Sequence, residues 1–377
     1  MIYPATIGIV GGGQLAKMLT IAAKKMGFFV IVTDPTPGSP AGQVADKQLV
    51  GGYKDAKTTR DLAKLVDVIT IDAEFVNDEV LSEIEKSGIP VHPSPNIIGI
   101  IKDKLLQKEF LRENKIPTAD FFQITLVEDV LKSGEKFGYL MLLKARRDAY
   151  DGKGNYLLKS EKDLDLGFEK LKDRALYVEK FVPYVKELAV MVARSIDGEV
   201  RAYPVVETKQ IDNVCDVVLA PAKISKKAEI NAISLAKKTV ELLNGVGIFG
   251  IEIFLKSDDS VLVNEIAPRV HNSGHYTIEA CVTSQFEQHI RAITGLPLGS
   301  TDMIVKSAVM KNILGTAQGL GFPKNLDKAL KIPGVSYHLY NKKDSRIGRK
   351  MGHITVVGDS LEKCLQNAEK ARRMLVI

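Results

Sequence analysis

The sequence predicts an α/β N-terminal part on a doubly wound parallel sheet, an α+β middle, and a small β-rich C-terminal part. Three observations carry this. Up to about residue 96, short apolar runs alternate with helical periodicities through short links, the pattern of a parallel sheet with helices on both faces. From 97 to 296 the alternation gives way to hairpin-like strand pairs around a long amphipathic helix. After Pro297 the pattern shortens into small strands and turns before a last helix. The expected division is therefore 1–96, 97–296 and 297–377, within what 377 residues allow.

In order, Thr6 to Val10 reads as a buried parallel strand that Gly11-Gly12-Gly13 ends. Gln14 to Gly27 carries Leu15, Met18, Leu19 and Ala22 at helical spacing, with Gly27 as its C-cap. Phe28 to Thr33 is a second strand closing on Asp34, Asp67 to Ile71 a third, Glu79 to Lys86 a helix, and Ile89 to His92 a further strand. One helix is expected from Ile97 to Asn114, with Lys102, Lys104 and Lys108 on its polar positions. Strands follow at 121–125, 139–144, 176–181, 188–195 and 201–206, with Asp197-Gly198 as a hairpin signal. Ala228 to Leu243 is the long amphipathic helix. Gly250 to Lys256 and Ser260 to Ile266 form a hairpin across Asp258-Asp259. Tyr337 to Tyr340 and His353 to Val357 are the clearest late strands, and Ser360 to Met374 the last helix.

Apolar residues make up 45% of the chain and charged residues 26%, an ordinary soluble composition. The net charge of +6 is dispersed, so it suits small anionic substrates as well as nucleic acid and decides little. Cys215, Cys281 and Cys364 are odd in number and far apart, which points to a reducing compartment and away from a disulfide framework or zinc knuckle. No run of about 18 apolar residues occurs, so neither a membrane span nor a membrane partner is expected, and the expected location is cytoplasmic.

Several motifs carry chemistry. Gly11-Gly12-Gly13-Gln14-Leu15-Ala16 fits the dinucleotide pattern G-x-G-x-x-G/A between strand and helix, and Asp34 stands where an acid would hold a ribose hydroxyl. Alternatively, these glycines only permit a tight turn. Lys144 ends an apolar strand, and Arg146-Arg147-Asp148-Ala149-Tyr150-Asp151-Gly152-Lys153-Gly154 follows, a basic loop able to fold over a triphosphate but not a Walker A loop. Extended backbone at Glu179-Lys180-Phe181-Val182 can read an adenine edge, and Glu187 can hold ribose hydroxyls. Glu252 and Glu265 lie on the two arms of the late hairpin, so their carboxylates fall within roughly 5–8 Å of each other. Two acids so close repel unless a divalent cation bridges them, and with Asn264 beside them and no His/Cys cluster, Mg²⁺ is favoured over Zn²⁺. Val263 to His275 then delivers an acid, a proline turn, Arg269, His271, Asn272 and His275 within thirteen residues. Arg269 offers a planar fork for a carboxylate-shaped anion such as bicarbonate.

Together the G-G-G-Q-L segment, the Y-D-G-K-G loop, the E-x-F-V hinge, the paired glutamates and N-E-x-A-P-R-x-H-N-S-G-H resemble the ATP-grasp enzymes. Within them the chain is similar to the N5-carboxyaminoimidazole ribonucleotide synthetases over nearly its whole length. Tyr276 to His289 and Arg349-Lys350-Met351-Gly352-His353 carry the same likeness. The resemblance implies a pre-ATP-grasp domain (1–96), an ATP-grasp domain (97–296) and a small C-terminal domain (297–377). It implies ATP-dependent carboxylation of 5-aminoimidazole ribonucleotide with bicarbonate through carboxyphosphate, with Mg²⁺, two ions with ATP, or Mn²⁺ as substitute, in a homodimer without nucleic-acid partners. The Gly11–Ala16 loop then ceases to speak for NAD.

Site roles follow from the same resemblance. Lys104 and Lys144 become the ATP-phosphate cations, and Tyr150, Asp151, Gly152, Lys153 and Gly154 the closing loop. Glu179, Lys180, Phe181 and Val182 become the adenine hinge, Glu187 the ribose acid, and Glu252 and Glu265 the metal ligands with Asn264 beside them. Arg269, His271 and Asn272 become the bicarbonate pocket. Gln14, Glu74, Asp151, Lys342, Arg346 and Arg349 become the ribonucleotide contacts. Three segments depart from the family pattern: Asp148-Ala149 replaces two loop glycines, Asp72 to Asn77 replaces E-F-E-N, and Glu207-Thr208-Lys209-Gln210 replaces E-N-x-H. A formate-using transformylase of the same fold, an NAD-dependent dehydrogenase and a non-catalytic nucleotide sensor remain the alternative readings.

Overall fold

The computed structural model describes residues 5–148 and 154–377. β1 (Thr6–Val10), β2 (Phe29–Asp34), β3 (Lys47–Val50) and β4 (Val68–Ile71) form a parallel sheet in the order β3-β2-β1-β4. α1 (Gln14–Lys25) buries Leu15, Met18 and Leu19 in one core with Ile7, Ile9, Val30 and Val32. α2 (Ala56–Ala63) and α3 (Asp78–Lys86) bury Leu62, Val80, Leu81 and Ile84 in another with Ile31, Ile69 and Ile71. With both faces covered, the strands read as nearly continuous apolar runs, which is why they were legible. β3 is a half-exposed edge and α2 buries only Thr59 and Leu62, so neither has a strong pattern. The strand expected at 89–92 reduces to a single bridge between Val91 and Ile69.

The helix expected from 97 to 114 is two helices, α4 (Pro95–Lys102) and α5 (Lys104–Glu113). Asp103 interrupts it and accepts the N–H of Leu105 at 3.1 Å, starting a new helix with its own cap. β5 (Phe121–Gln123), β6 (Met141–Ala145), β7 (Asn155–Leu158) and β8 (Leu176–Lys180) make an antiparallel sheet in the order β5-β8-β6-β7. α6 (Val127–Phe137) and α7 (Leu164–Lys170) pack on it through Val130 and Leu164.

A large antiparallel sheet follows. It contains β9 (Lys186–Arg194), β10 (Val200–Ala202), β11 (Val206–Ile211), β12 (Val214–Ala220), β13 (Gly247–Leu255) and β14 (Val261–Ala267). The strand expected at 201–206 is thus two strands, β10 and β11, both paired with β9. α8 (Lys226–Leu243) covers one face; α9 (Thr277–Ala280) and α10 (Gln285–Thr294) follow the hairpin. β15 (Ser307–Leu314) then pairs with β12, from Val217↔Lys311 to Ala220↔Ala308, so the sheet runs straight through the expected boundary at 296/297. β16 (Gly319–Leu320) pairs with β18 (Asp344–Ser345), while β17 (Val335–Leu339) and β19 (Lys350–Gly358) extend the large sheet past β15. α11 (Leu326–Ala329) and α12 (Leu361–Met374) complete the chain.

One buried apolar cluster includes Ile7 and Leu19, Met191 and Phe286, and Met310 and Tyr340, so all three expected segments share a core. His289 on α10 locks two of them together: Nδ1 accepts the Ile248 N–H at 3.0 Å, and Nε2 therefore donates to Thr70 Oγ1 at 2.8 Å. Among the described residues no helix is long and apolar enough to cross a membrane.

Candidate active site

The β13–β14 hairpin sets Glu252 directly opposite Glu265, and a register shift at the next position leaves Asn264 as the extra residue of the bulge. Asn264 Nδ2 lies 3.4 Å from Glu252 Oε2. Lys104, the first residue of α5, forms an ion pair with Glu265. Burial, reinforced by Glu265 and Glu187, pushes the Glu252 carboxyl up to about 8 despite Lys104 and Lys144. Such a carboxyl marks a site short of positive charge. Among the described residues no group of three or more His, Cys, Asp or Glu that could hold a metal ion occurs, but Mg²⁺ is commonly held by only one or two carboxylates together with substrate phosphates, and Glu252, Glu265 and Asn264 supply oxygen donors of that kind. The side chains present therefore fit the expected ion.

A second cluster joins α5 to the small sheet. Lys108 Nζ and Lys144 Nζ approach the same oxygen of Glu179, at 3.0 and 3.5 Å. Burial alone would raise the Glu179 carboxyl, but Lys108 and Lys144 outweigh it and hold it below the usual carboxylate range. Lys108 is 2% exposed, so the expected polar position on a helix surface is corrected to an interior one. Helical spacing placed Lys108 on a face without revealing that β8 covers that face. Asp103 holds the start of the basic loop: Arg146 reaches it with two N–H groups, at 3.0 and 2.8 Å, and Arg147 with one, at 3.0 Å. These two arginines thus tether the loop and do not hang over the site. Tyr150, Asp151, Gly152 and Lys153 lie outside the described residues; Gly154 accepts the Ala145 N–H at 2.8 Å. In the hinge, the Lys180 and Phe181 N–H groups are donated to Asp120 O and Leu140 O, at 2.8 and 3.2 Å. Glu187 on β9 accepts from Tyr184 Oη at 2.7 Å and from Gln210 Nε2 at 2.6 Å.

Beyond β14 the turn brings Arg269 against Glu74 from the parallel-sheet segment. Nε and Nη2 contact the two carboxylate oxygens at 2.8 and 3.2 Å, and Nη1 donates to Val270 O at 3.3 Å. Burial, Arg269 and Lys104 act on Glu74 in opposite senses; the cations win and hold its carboxyl down to about 2. Among the described residues three of the five guanidinium N–H groups are engaged, and one on each Nη has no partner there. His271 Nε2 faces Glu252 Oε1 across 3.5 Å, and burial, with Arg269 and Lys350 nearby, pushes the imidazole down to about 3, so the ring is neutral. Asn272 and Asn312 on β15 form a reciprocal amide pair, at 3.0 and 2.7 Å. Asn312 carried no signal in the sequence, because its partner is forty residues away.

The glycine-rich turn holds anions, but they are the protein's own. Asp72 accepts the Gly13 N–H at 2.9 Å and the Ala16 N–H at 2.7 Å, filling the N-terminus of α1. A Cβ on Gly13 would lie 2.5 Å from Asp72 Oδ2, so this glycine makes room for the carboxylate. Asp34 accepts from Gly12 N–H, at 3.2 Å, and from Thr36 N–H, at 2.8 Å. Both halves of the dinucleotide pattern are thus satisfied internally, and the dehydrogenase reading loses its basis. Asn77 caps α3 through Val80 N–H at 3.2 Å. Gln14 opens α1 beside this turn. Opposite it, Lys342 is pushed down to about 8 by burial and then by Arg349, with Lys350 and Arg346 adding and Asp72 opposing. Lys342 Nζ donates to Lys350 O at 2.7 Å, and Arg349 Nη1 to Asp344 O at 2.6 Å. Lys17 Nζ to Leu339 O, at 3.0 Å, and Gln43 Nε2 to Asn341 O, at 3.1 Å, clasp this cationic segment to the parallel sheet.

Comparison with known proteins agrees with this geometry. Residues 4–102 match the ribonucleotide synthetase preATP-grasp domain, 109–286 the ATP-grasp domain, and 308–367 the phosphoribosylaminoimidazole carboxylase C-terminal domain. The crystal structure of N5-carboxyaminoimidazole ribonucleotide synthetase from Thermotoga maritima is 49% identical, with 99% of each chain covered and a TM-score of 0.89. The chain belongs to the N5-carboxyaminoimidazole ribonucleotide synthetase family of ATP-grasp ligases. A member from Aspergillus clavatus, solved in complex with ADP and 5-aminoimidazole ribonucleotide, is 38% identical over 99% of each chain with a TM-score of 0.92. The phosphoribosylaminoimidazole carboxylase of Ogataea methanolica is 44% identical over 95% of this chain. The chain spans about two thirds of the length of such carboxylases, 67% in that case and 66% in the one from Schizosaccharomyces pombe. As in any synthetase of this family, the parallel sheet here belongs to a ligase and not to a dehydrogenase.

Proposed function

We propose that this chain carboxylates the amine of 5-aminoimidazole ribonucleotide with bicarbonate, using ATP and releasing ADP and phosphate, as a step of purine (IMP) biosynthesis. The observation that carries the reading is the continuous row of Lys104–Glu265, Glu252–His271 and Arg269–Glu74 along the end of the large sheet. This row supports the reading because it brings the oxygen donors of Glu252 and Glu265 near a guanidinium that, among the described residues, has two N–H groups without a partner. The chemistry has a simple reason. Bicarbonate is a poor electrophile because hydroxide leaves poorly. Transfer of a phosphoryl group to its oxygen gives carboxyphosphate. The amine nitrogen then bonds to the carboxyl carbon, the carbon–oxygen bond to phosphate breaks, and the nitrogen gives up a proton. The intermediate is short-lived in water, so both reactants must be held side by side.

In this reading Lys104 and Lys144 meet the ATP phosphates, with Lys108 behind them holding Glu179. Val182 and its neighbours read the adenine edge, and Glu187 the ribose. Arg269, His271 and Asn272 seat bicarbonate; Gln14, Lys342, Arg346 and Arg349 receive the ribonucleotide, whose phosphate the three cations attract. Glu74 is better placed to orient Arg269 than to bind ribonucleotide on its own. Glu252, Glu265 and Asn264 would hold Mg²⁺, which when bound neutralises triphosphate charge; Mn²⁺, with the same oxygen preference, would substitute. The working unit in this reading is a homodimer in the cytoplasm.

The test is ADP release by the purified protein with Mg-ATP, bicarbonate and 5-aminoimidazole ribonucleotide, each omitted in turn. Release that needs all three supports the reading. Turnover with formate in place of bicarbonate would overturn the anion assignment, and turnover indifferent to the ribonucleotide would overturn the acceptor.

A further inference from the structure

Asn312 stands on β15, in the C-terminal segment, and its amide is held from two directions. Its Nδ2 donates to the Cys215 carbonyl on β12 at 2.7 Å and to Asn272 Oδ1 at 2.7 Å, while its Oδ1 accepts from Asn272 Nδ2 at 3.0 Å. A backbone carbonyl can only accept, so Cys215 fixes which end of the Asn312 amide carries the hydrogens. The reciprocal pair passes this choice on to Asn272. Its Nδ2 must face Asn312 Oδ1, and its Oδ1 must face Asn312 Nδ2. A flipped Asn272 would set N–H against N–H and oxygen against oxygen.

The surroundings keep Asn312 in this seat. It is fully buried, so water does not compete for its amide. β15 is paired on both edges, with Val217 opposite Lys311 on one side and His353 opposite Asn312 on the other. The adjacent Lys311 Nζ contacts Asp216 Oδ2 on β12 at 2.6 Å. Asn272, by contrast, is only partly buried. Among the described residues it spends one Nδ2 hydrogen on Asn312 and has a second without a partner. That second N–H belongs to the turn that also carries Arg269 and His271.

We propose that Asn312 is a positioning residue that sets the polarity of Asn272, so that Asn272 meets the bound anion with an N–H and not with its carbonyl oxygen. The C-terminal segment thereby completes an anion seat otherwise built by the central one. The proposal rests on the bicarbonate role given above to Asn272. Asn312→Leu, close in shape but without polar groups, should raise KM for bicarbonate about tenfold, the effect of losing a hydrogen bond to a charged group, and leave KM for ATP within about twofold. In an Asn272→Ala background the same substitution should add almost nothing, because a residue that acts through Asn272 has nothing left to act on. Equal losses in both backgrounds overturn the proposal. Should Asn312→Leu fail to fold, Asn312→Ser, shorter and still polar, takes its place in every comparison.

The deciding measurement is a bicarbonate titration of protein labelled with heavy nitrogen at asparagine, followed by NMR, with the Asn272 side-chain amide assigned by its loss in Asn272→Ala. Movement of that signal in the unsubstituted protein that needs about tenfold more bicarbonate in Asn312→Leu supports the proposal. Equal movement in both proteins overturns it and leaves the anion seat standing. No movement in the unsubstituted protein removes Asn272 from the anion seat and overturns the proposal with it. The titration needs no turnover, so a failed carboxylation assay beside an intact response counts against the proposed reaction alone.

Discussion

Arg269 shows at the residue scale how the side chain proposed to seat the anion is also tied into the fold. Glu74 takes the edge formed by Nε and Nη2, and the N–H left on each Nη is what a bicarbonate could use. Arg269→Lys separates these functions. A lysine still neutralises buried Glu74, whereas alanine would leave an uncompensated interior charge worth about 3–5 kcal/mol. We expect Arg269→Lys to fold and bind ATP normally, yet to lose at least about tenfold in bicarbonate-dependent ADP release, since an ammonium lacks the fork. Normal carboxylation by this variant would remove Arg269 from the anion pocket. Lys342 gives a pH prediction. Its free-state value is pushed down to about 8, and phosphate favours its charged form. Ribonucleotide affinity should therefore hold below pH 8 and fall as pH rises through it, read as an increase in KM for the ribonucleotide alone. A KM flat up to pH 10 would place the phosphate elsewhere.

At the scale of elements, the break between α4 and α5 does more than redirect the chain. Asp103 caps α5 and anchors Arg146 and Arg147, which fixes the loop's first strand-proximal residues while α5 presents Lys104 and Lys108 inward. Asp103→Ala removes a cap, worth about 1 kcal/mol, and leaves the half-buried Arg146 without its carboxylate. We expect a loss of about 2–3 kcal/mol in all, measured by chemical denaturation, together with a raised KM for ATP as the loop loosens. A stability change without any effect on ATP would show that the loop is anchored elsewhere. Apolar spacing favoured one long helix here because α4 and α5 bury consecutive faces, and the carboxylate at 103 was the sole local sign of a restart. The same limit explains β3 and α2: an edge strand and a short helix bury too little to impose a pattern.

At the scale of the whole molecule, the large sheet binds the central and C-terminal segments into one body. Cutting near 296 would strip β15 from β12, exposing an unpaired edge and the core around Met310 and Tyr340. Limited proteolysis should therefore yield no stable fragment ending near residue 296, and calorimetry should show the two segments melting together; a soluble, cooperatively folding fragment 5–296 would refute this. The same continuity sets His353, on the last long strand, opposite Asn312 in register and within 4.8 Å (ring centroids) of His275 in the turn after β14.

The fold class, the parallel sheet, the β13–β14 hairpin with its paired glutamates, and the polar turn after it were determined by local sequence, because each depends on periodicity or on residues a few positions apart. Only the tertiary structure decided what those residues touch. The glycine-rich turn looked like a dinucleotide site until Asp72, from the far end of β4, was seen to fill its helix terminus. Lys108 looked like a surface lysine until β8 brought Glu179 over it. Asn312 and Glu74 orient residues forty and 195 positions away in the chain. A sequence records which groups are available within reach of a turn or a helix face; which charge finds which partner is settled by packing, where burial makes an unpaired charge too costly to leave.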